Sequence, residues 1–153
     1  MLVLRSTRRE HARGRQHGQM EHSPIRVAIV DDEAPVRKAL ARLLTASSFE
    51  VKTYGAAREF INSIRTDVPE CLVLDIHMPD FSGHDLQRYL ARLGIKVPTI
   101  VITAFNDPEI RERCQTAGAA AFLTKPLHGP TLIDAINAAV TDSNRVTPVA
   151  RPK

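Results

Sequence analysis

The sequence predicts an α/β protein with a doubly wound, five-stranded parallel sheet, and two observations support this prediction. From Ile25 onward, five short apolar runs alternate with five amphipathic stretches. The runs are continuously apolar, which is typical of strands that helices cover on both faces of a sheet. Strands that alternate regularly with helices favour a parallel sheet over an antiparallel one.

The strands are predicted from apolar runs rich in β-branched residues. "RVAIV" at 26–30 is a continuous run of this kind, and "CLVLD" at 71–75 is another. Pro98 falls at the start of the fourth strand, where its missing N–H removes no central hydrogen bond of the sheet. The predicted strands are residues 26–30, 49–54, 71–75, 97–103 and 120–125.

The helices are predicted from apolar residues at helical spacing and from their terminal residues. Pro35 fits the first turn of the first helix, Asp107 is placed to cap the fourth, and Gly118 can end it. The predicted helices are residues 34–46, 56–64, 83–93, 107–117 and 130–140. Their buried faces are predicted to include Val36, Leu40, Leu43 and Leu44, then Leu86, Leu90 and Leu93, then Leu132, Ile133, Ile136 and Val140.

Length and charge predict one domain between two tails. A chain of 153 residues with 43% apolar content can form one real core. We expect a disordered basic extension at 1–24 (or a start codon placed too far upstream), the domain at 25–141, and a tail or the start of a linker at 142–153. The net charge of +4 comes from arginine and lysine in these tails. It therefore does not indicate a nucleic-acid-binding domain.

The two cysteines and the hydropathy pattern indicate a cytoplasmic protein. Cys71 and Cys114 have no metal-ligand spacing and form no disulfide framework, so we expect both to be reduced. No apolar run approaches the roughly 18 residues needed to cross a membrane. "MLVL" at the N-terminus precedes its arginines, which is the wrong order for a signal peptide.

Polar side chains follow the ends of four predicted strands, where open parallel sheets place their functional sites. They are Asp31, Asp32 and Glu33 after the first strand, Asp75 at the end of the third, Thr103 at the end of the fourth, and Lys125 at the end of the fifth. Clustered carboxylates repel one another and need a cation, and their oxygen ligands suit Mg²⁺. Such a site suits phosphoryl transfer, with Asp75 as an exposed nucleophile and with Lys125 and Thr103 binding phosphoryl oxygens.

These residues resemble a known family over about 25–140. "VDDE", "LDIHMPDFSG", "VITA" and "AAFLTKP" together are similar to the response-regulator receiver domain of bacterial two-component systems. "HMPDFSGHDLQRYL" and "VPTIVITAFND" most resemble its FixJ-type branch. The resemblance implies the flavodoxin-like (βα)5 topology with strand order 2-1-3-4-5.

The resemblance also implies a role for each residue of the site. Asp75 would accept a phosphoryl group from a histidine kinase or a phosphotransfer protein. Mg²⁺ would bind Asp32 and Asp75, with Asp31 helping through water and His77 offering its backbone carbonyl. Lys125 would hold the phosphoryl group, and its peptide bond to Pro126 is typically cis in the family.

Two further residues would form the family's switch. Thr103 would move towards the phosphoryl group on activation, and Phe122 would then turn inward; the alternative for Phe122 is ordinary core packing. Our hypothesis for the rim is that His77, with its side chain exposed, and Phe105 together slow hydrolysis of the acyl phosphate.

The predicted output surface is formed by the fourth helix, the fifth strand and the fifth helix, roughly Asp107 to Val140. Ile110, Leu123 and Leu127 are candidate apolar contacts there for a homodimer or a partner protein, although core burial is as plausible for Leu123. FixJ-type regulators usually carry a DNA-binding domain after the receiver, whereas only "TDSNRVTPVARPK" follows here. We favour a stand-alone receiver without direct nucleic-acid binding over a fragment of a longer DNA-binding regulator.

Other functions fit the sequence less well. An aspartate-nucleophile phosphatase would want an Asp at the position of His77, and a flavin- or nucleotide-binding protein would want a phosphate loop in place of "DDEAP". A phosphate-independent interaction module stays open, although every key residue is present. Nucleic-acid binding through the arginines of 1–24 is less plausible than a solvated tail. We therefore expect a phospho-acceptor with at most slow self-dephosphorylation, and not an enzyme.

Overall fold

The computed structural model describes residues 23–146, so the predicted extension, apart from Ser23 and Pro24, and residues 147–153 of the predicted tail lie outside the described residues. Ten elements alternate along the described chain. The strands are β1 (Arg26–Val30), β2 (Glu50–Tyr54), β3 (Cys71–Asp75), β4 (Thr99–Thr103) and β5 (Ala121–Thr124). The helices are α1 (Ala34–Ala46), α2 (Ala57–Ile64), α3 (Gly83–Arg92), α4 (Pro108–Thr116) and α5 (Gly129–Val146).

The five strands form one parallel sheet in the order β2-β1-β3-β4-β5, which confirms the predicted fold and strand order. Every residue of β3 and β4 is buried, whereas β2, at one edge, keeps three of its five residues exposed. β3 therefore lies in the middle of the sheet, and the residue at its end has a neighbouring strand on each side.

Alternate residues of each strand face two different layers of helices. Val27 and Ile29 of β1 pack in one core with α1 and α5, and Ala28 and Val30 pack in another with α2 and α3. α4 covers a smaller cluster through Cys114, which is buried together with Phe122. Within the described residues, no helix is long and apolar enough to cross a membrane.

Except at the end of the last helix, the predicted bounds agree with the structure to within two residues; Pro98, predicted to lie in the fourth strand, directly precedes β4. The last helix was expected to end near Val140 but continues to Val146, because residues 141–146 include no glycine or proline; the first proline after Val140 is Pro148. Leu93, predicted to face inward, lies just after α3 and is 48% exposed. Gly94 follows with a φ of 72°, the left-handed conformation that ends a helix, so Leu93 lies outside the regular turns of α3.

The start of α3 is fixed by a reciprocal pair of hydrogen bonds. The Ser82 hydroxyl accepts a hydrogen bond from the Asp85 N–H at 3.1 Å, and the Asp85 carboxylate accepts one from the Ser82 N–H at 3.0 Å. This capping box satisfies two backbone donors that the first turn otherwise leaves without partners.

We expect Ser82→Ala to lower the free energy of unfolding by about 1 kcal/mol, because it removes this cap. Urea unfolding of the variant and the parent measures the difference. Thr45→Ala, an exposed change within α1, is the control and should stay within about 0.5 kcal/mol of the parent. An equal effect of the two changes would show that the cap contributes nothing particular.

Candidate functional site

The carboxyl ends of four parallel strands bring the predicted site residues to one edge of the sheet. Asp31 follows β1, Asp75 ends β3, Thr103 ends β4, and Lys125 follows β5. In the sheet register, Val30 lies beside Leu74 and Asp75 lies beside Ile102, so these ends are level with one another. The predicted convergence of carboxylates, hydroxyl and ammonium at this edge is therefore what the register produces.

Three carboxylates form the centre of the site. Asp31, Asp32 and Asp75 each offer an oxygen atom, and these atoms lie within 4.8 Å of one another. Asp31 and Asp75 are buried, while Asp32 is exposed, so the group opens to solvent on one side. Within the described residues, this is the one group of three or more acidic, histidine or cysteine side chains close enough to hold a metal ion.

The expectation that Asp75 is exposed was wrong, since only 3% of its surface is accessible. Asp75 ends a strand that has β1 on one side and β4 on the other. The start of α3 also packs on its backbone: a Cβ atom placed on Gly83 would lie 2.6 Å from the Asp75 carbonyl oxygen. The carboxylate is thus buried beside that of Asp31, and of the three carboxylates only that of Asp32 is exposed.

Burial and like charge perturb the Asp75 carboxyl. Burial is the main cause that raises the pKa of Asp75 to about 7, and the charge of Asp31 adds to it. The His77 N–H, which donates to the carboxylate at 3.1 Å, and the Lys125 ammonium lower the pKa in part. A divalent cation among these oxygens would relieve the repulsion, so the donor set and its electrostatics fit Mg²⁺.

Lys125 bridges the acidic residues of two strands. Its ammonium nitrogen lies 3.4 Å from Asp31 Oδ2, 3.4 Å from Glu33 Oε1 and 3.9 Å from Asp75 Oδ2. Partial burial lowers the pKa of Lys125, but the carboxylates of Asp75 and Asp31 outweigh it and leave that pKa raised. The ammonium therefore stays charged, and its peptide bond to Pro126 is cis, as the resemblance implied.

Thr103, His77 and Phe105 form the rim of the site beside β4. The Thr103 side chain is buried, and its hydroxyl oxygen lies 3.0 Å from Nε2 of His77. His77 is exposed, as expected, and its ring meets the Phe105 ring edge-on, with 5.3 Å between the ring centres. Phe105 is itself 63% exposed. These two rings stand between Thr103 and the solvent.

Phe122 is already buried, whereas the resemblance implied that it turns inward on activation. Its ring packs with Val101 and Cys114, and the Arg111 guanidinium lies over it at 5.2 Å from the ring centre. The three candidate apolar contacts of the output surface are all half-buried: Ile110 packs beside Phe122, and Leu123 and Leu127 pack on the core under α1 and α5. None of the three presents a fully exposed side chain.

Three residues that the structure places at the site had no role predicted from the sequence. Glu33 contacts Lys125, Arg37 donates a hydrogen bond to the Asp31 carbonyl at 2.7 Å, and Gly83 packs on Asp75. Glu33 follows the acidic pair directly and was recognised as a residue at the strand end but given no role. For Arg37, one turn into α1, no pattern in the sequence predicts the contact.

Comparison with known proteins identifies the family of this chain. The family model of the response regulator receiver domain matches residues 27–137. Nodulation protein W of Bradyrhizobium diazoefficiens is 42% identical over 113 residues, which are 74% of this chain and 50% of that protein. The transcriptional regulatory protein FixJ of Rhizobium meliloti is 44% identical over 114 residues, which are 74% of this chain and 55% of that protein.

Solved structures give the same result for the fold. The crystal structure of FixJ-N has a TM-score of 0.74 with this structure at 39% identity, covering 86% of this chain and 100% of that one. A receiver protein from Burkholderia phymatum has a TM-score of 0.69 at 35% identity, covering 84% and 99%. This chain spans about half the length of the curated relatives it matches. It belongs to the response regulator receiver domain family of two-component signalling, and FixJ is among its relatives.

Proposed function

We propose that Asp75 accepts a phosphoryl group from a histidine kinase or a phosphotransfer protein, with Mg²⁺ bound by Asp31, Asp32 and Asp75. The observation that carries the proposal is the buried Asp75 carboxylate, which faces two other carboxylates and lies 3.9 Å from the Lys125 ammonium. A group of this kind is suited to bind a cation and, through it, a phosphoryl group.

The transfer requires little of the protein beyond position and charge. An Asp75 carboxylate oxygen forms a bond to phosphorus while the phosphorus–nitrogen bond of the donor phosphohistidine breaks, and the donor imidazole leaves as a neutral ring after taking up a proton. Bound Mg²⁺ would supply the positive charge that lets the carboxylate stay ionised beside the incoming phosphoryl oxygens. Lys125 holds one of these oxygens, and the Thr103 hydroxyl donates to another after it moves.

The test is the intact mass of the protein after incubation with Mg²⁺ and phosphoramidate, a small phosphodonor. We expect the parent to gain one phosphoryl group with Mg²⁺ and none without it, and Asp75→Asn to gain none. Asp80→Asn is the control: Asp80 is exposed and has a φ of 64°, which Asn adopts readily, so this variant should gain the group as the parent does. A parent that gains nothing would instead point to a phosphate-independent interaction module.

We propose that the output surface is formed by α4, β5 and α5, and that a partner protein or a second copy docks there. Phosphorylation would shift the balance between two arrangements of this surface. The second candidate for the whole protein, a DNA-binding transcriptional regulator that contains this receiver, is favoured by the length of the relatives, which include transcriptional regulatory proteins. Either function is exercised in the cytoplasm, where a histidine kinase would present its phosphohistidine.

The rim residues are proposed to set the lifetime of the acyl phosphate. We expect the double variant His77→Asn, Phe105→Asn to lose its phosphoryl group severalfold faster than the parent, because smaller polar side chains admit water to the phosphorus. The loss is followed by intact mass after the phosphodonor is removed. Leu93→Asn, an exposed change far from the site in the chain, should leave the lifetime unchanged. Equal lifetimes in the double variant and the parent would refute this role.

A further inference from the structure

The hydroxyl of Thr103 contacts three polar atoms of neighbouring residues of the rim. It accepts a hydrogen bond from the Phe105 N–H at 3.1 Å, lies 3.2 Å from the Phe105 carbonyl oxygen, and lies 3.0 Å from Nε2 of His77. A threonine hydroxyl has one hydrogen to donate and two lone pairs to accept with. With either tautomer of His77, its one hydrogen is therefore used by an atom of the rim.

The direction of the hydroxyl hydrogen follows from the tautomer of His77. If Nε2 carries a hydrogen, the ring donates to Thr103, and Thr103 donates to the Phe105 carbonyl. If Nε2 carries none, Thr103 donates to the ring itself. In both cases the hydroxyl hydrogen is used at the rim, by the Phe105 carbonyl or by the ring. The movement of Thr103 towards a phosphoryl group on Asp75, which the proposed function requires, would in either case break its contact with His77.

We propose that the imidazole of His77 is a positioning residue that holds Thr103 in the unphosphorylated arrangement and so opposes activation. This inference rests on the proposed function, because it concerns the same phosphoryl group. It differs from a role in shielding water, since it acts through one hydrogen bond and not through the bulk of the ring. The ring is well placed for this, because its edge-on contact with Phe105 fixes its orientation.

The backbone of His77 allows the side chain to be tested alone. Its N–H donates to Asp75 Oδ1, and its carbonyl is the predicted Mg²⁺ ligand, and neither depends on the imidazole. His77→Phe keeps an aromatic ring against Phe105 and removes the nitrogen. His77→Gln offers an amide nitrogen at similar reach, so it should restore the contact with Thr103.

The experiment measures the affinity for beryllofluoride, a non-covalent phosphoryl mimic, with Mg²⁺ present. We expect His77→Phe to bind it roughly 2- to 10-fold more tightly than the parent, the gain expected when one net hydrogen bond no longer has to be broken. His77→Gln should lie close to the parent. In a Thr103→Ala background, His77→Phe should produce no change, because the hydroxyl that it releases is gone.

The affinities of the parent, His77→Phe, Thr103→Ala and the double variant separate the possible failures. If His77→Phe tightens binding equally with and without the Thr103 hydroxyl, or fails to tighten it in the parent, the inference is overturned. Weaker binding by His77→Phe would also overturn it, because the imidazole would then contact the mimic directly. Suppose that the parent binds beryllofluoride and is phosphorylated on Asp75 while the effects of His77→Phe and Thr103→Ala on affinity simply add. In that case the proposed function stands and the role of His77 is refuted. If the parent neither binds beryllofluoride nor becomes phosphorylated, the proposed function and this inference are both overturned.

Discussion

Gly83→Ala is expected to lower the free energy of unfolding by about 1–3 kcal/mol, the usual range for overpacking, and to reduce phosphorylation of Asp75 as well. A Cβ atom at this position would lie 2.6 Å from the Asp75 carbonyl oxygen and 2.8 Å from Cα of Ile76. Both of these atoms belong to the backbone, so no side-chain rotation relieves the contact. Either α3 or the end of β3 must move, and the end of β3 carries the phospho-acceptor.

Urea unfolding and the rate of phosphoryl uptake measure the two effects. Gly129→Ala is a matched control, because Gly129 also begins a helix, but its added Cβ would meet only the Leu43 side chain, at 3.3 Å. That methyl group can yield, so the control should remain close to the parent in both measurements. Equal behaviour of the two variants would mean that α3 does not fix the position of Asp75.

Asp75→Asn is expected to stabilise the protein by roughly 3–4 kcal/mol at pH 8 in the absence of Mg²⁺. The pKa of Asp75 is raised to about 7 by burial and by Asp31, from an ordinary value of ~3.9. Each pKa unit corresponds to about 1.4 kcal/mol between the two protonation states. The asparagine keeps the shape of the side chain and removes the charge that the fold disfavours.

The sign of the pH dependence follows from the raised pKa. Since the folded protein binds the Asp75 proton more tightly than the unfolded chain, the parent loses stability as the pH rises from about 4 to about 7. The advantage of Asp75→Asn should therefore be small at pH 4, grow through that range, and level off above pH 7. Mg²⁺ should reduce the stability difference between Asp75→Asn and the parent at pH 8, because it binds the folded parent and stabilises it.

Chemical unfolding of both proteins between pH 4 and pH 8 measures this advantage. Asp32→Asn is the control, since the Asp32 carboxylate is exposed and its removal should change stability much less. If Asp75→Asn destabilised the protein at pH 8 without Mg²⁺, the carboxylate would be held by its contacts with Lys125 and His77 more strongly than it is disfavoured by burial.

Much of the fold was predictable because its signals are local. The continuous apolar runs of β1, β3 and β4 have to be buried on both faces, and Pro35 and Asp107 mark helix starts by their own chemistry. The ends of helices were predicted less accurately where no residue directly marked them. The end of α5 was predicted six residues too early, because Pro148, the first proline after Val140, was not weighed as its stop signal.

Which residues form the site was predictable from the sequence, but their burial and their mutual contacts were not. Strand ends are local features, so Asp31, Asp75, Thr103 and Lys125 were assigned from the sequence. The burial of Asp75 was not predictable, because it depends on tertiary neighbours: β1 and β4 on either side of its strand and the start of α3 on its backbone. The contact between His77 and Thr103 joins residues 26 positions apart through a side-chain rotamer, which no pattern of residue types specifies.

The contact between Lys125 and Asp31 joins residues that are 94 positions apart, from just after the first strand to just after the last. The acceptor site is therefore completed late in synthesis, when four βα units already exist and only α5 remains to follow. Closing so long a loop costs more chain entropy than forming any single βα unit, so the pocket is expected to assemble after the units themselves. A nascent or truncated chain that ends before Lys125 would carry Asp75 without its ammonium partner. Competence to accept a phosphoryl group would thus report that the whole domain has been made and folded.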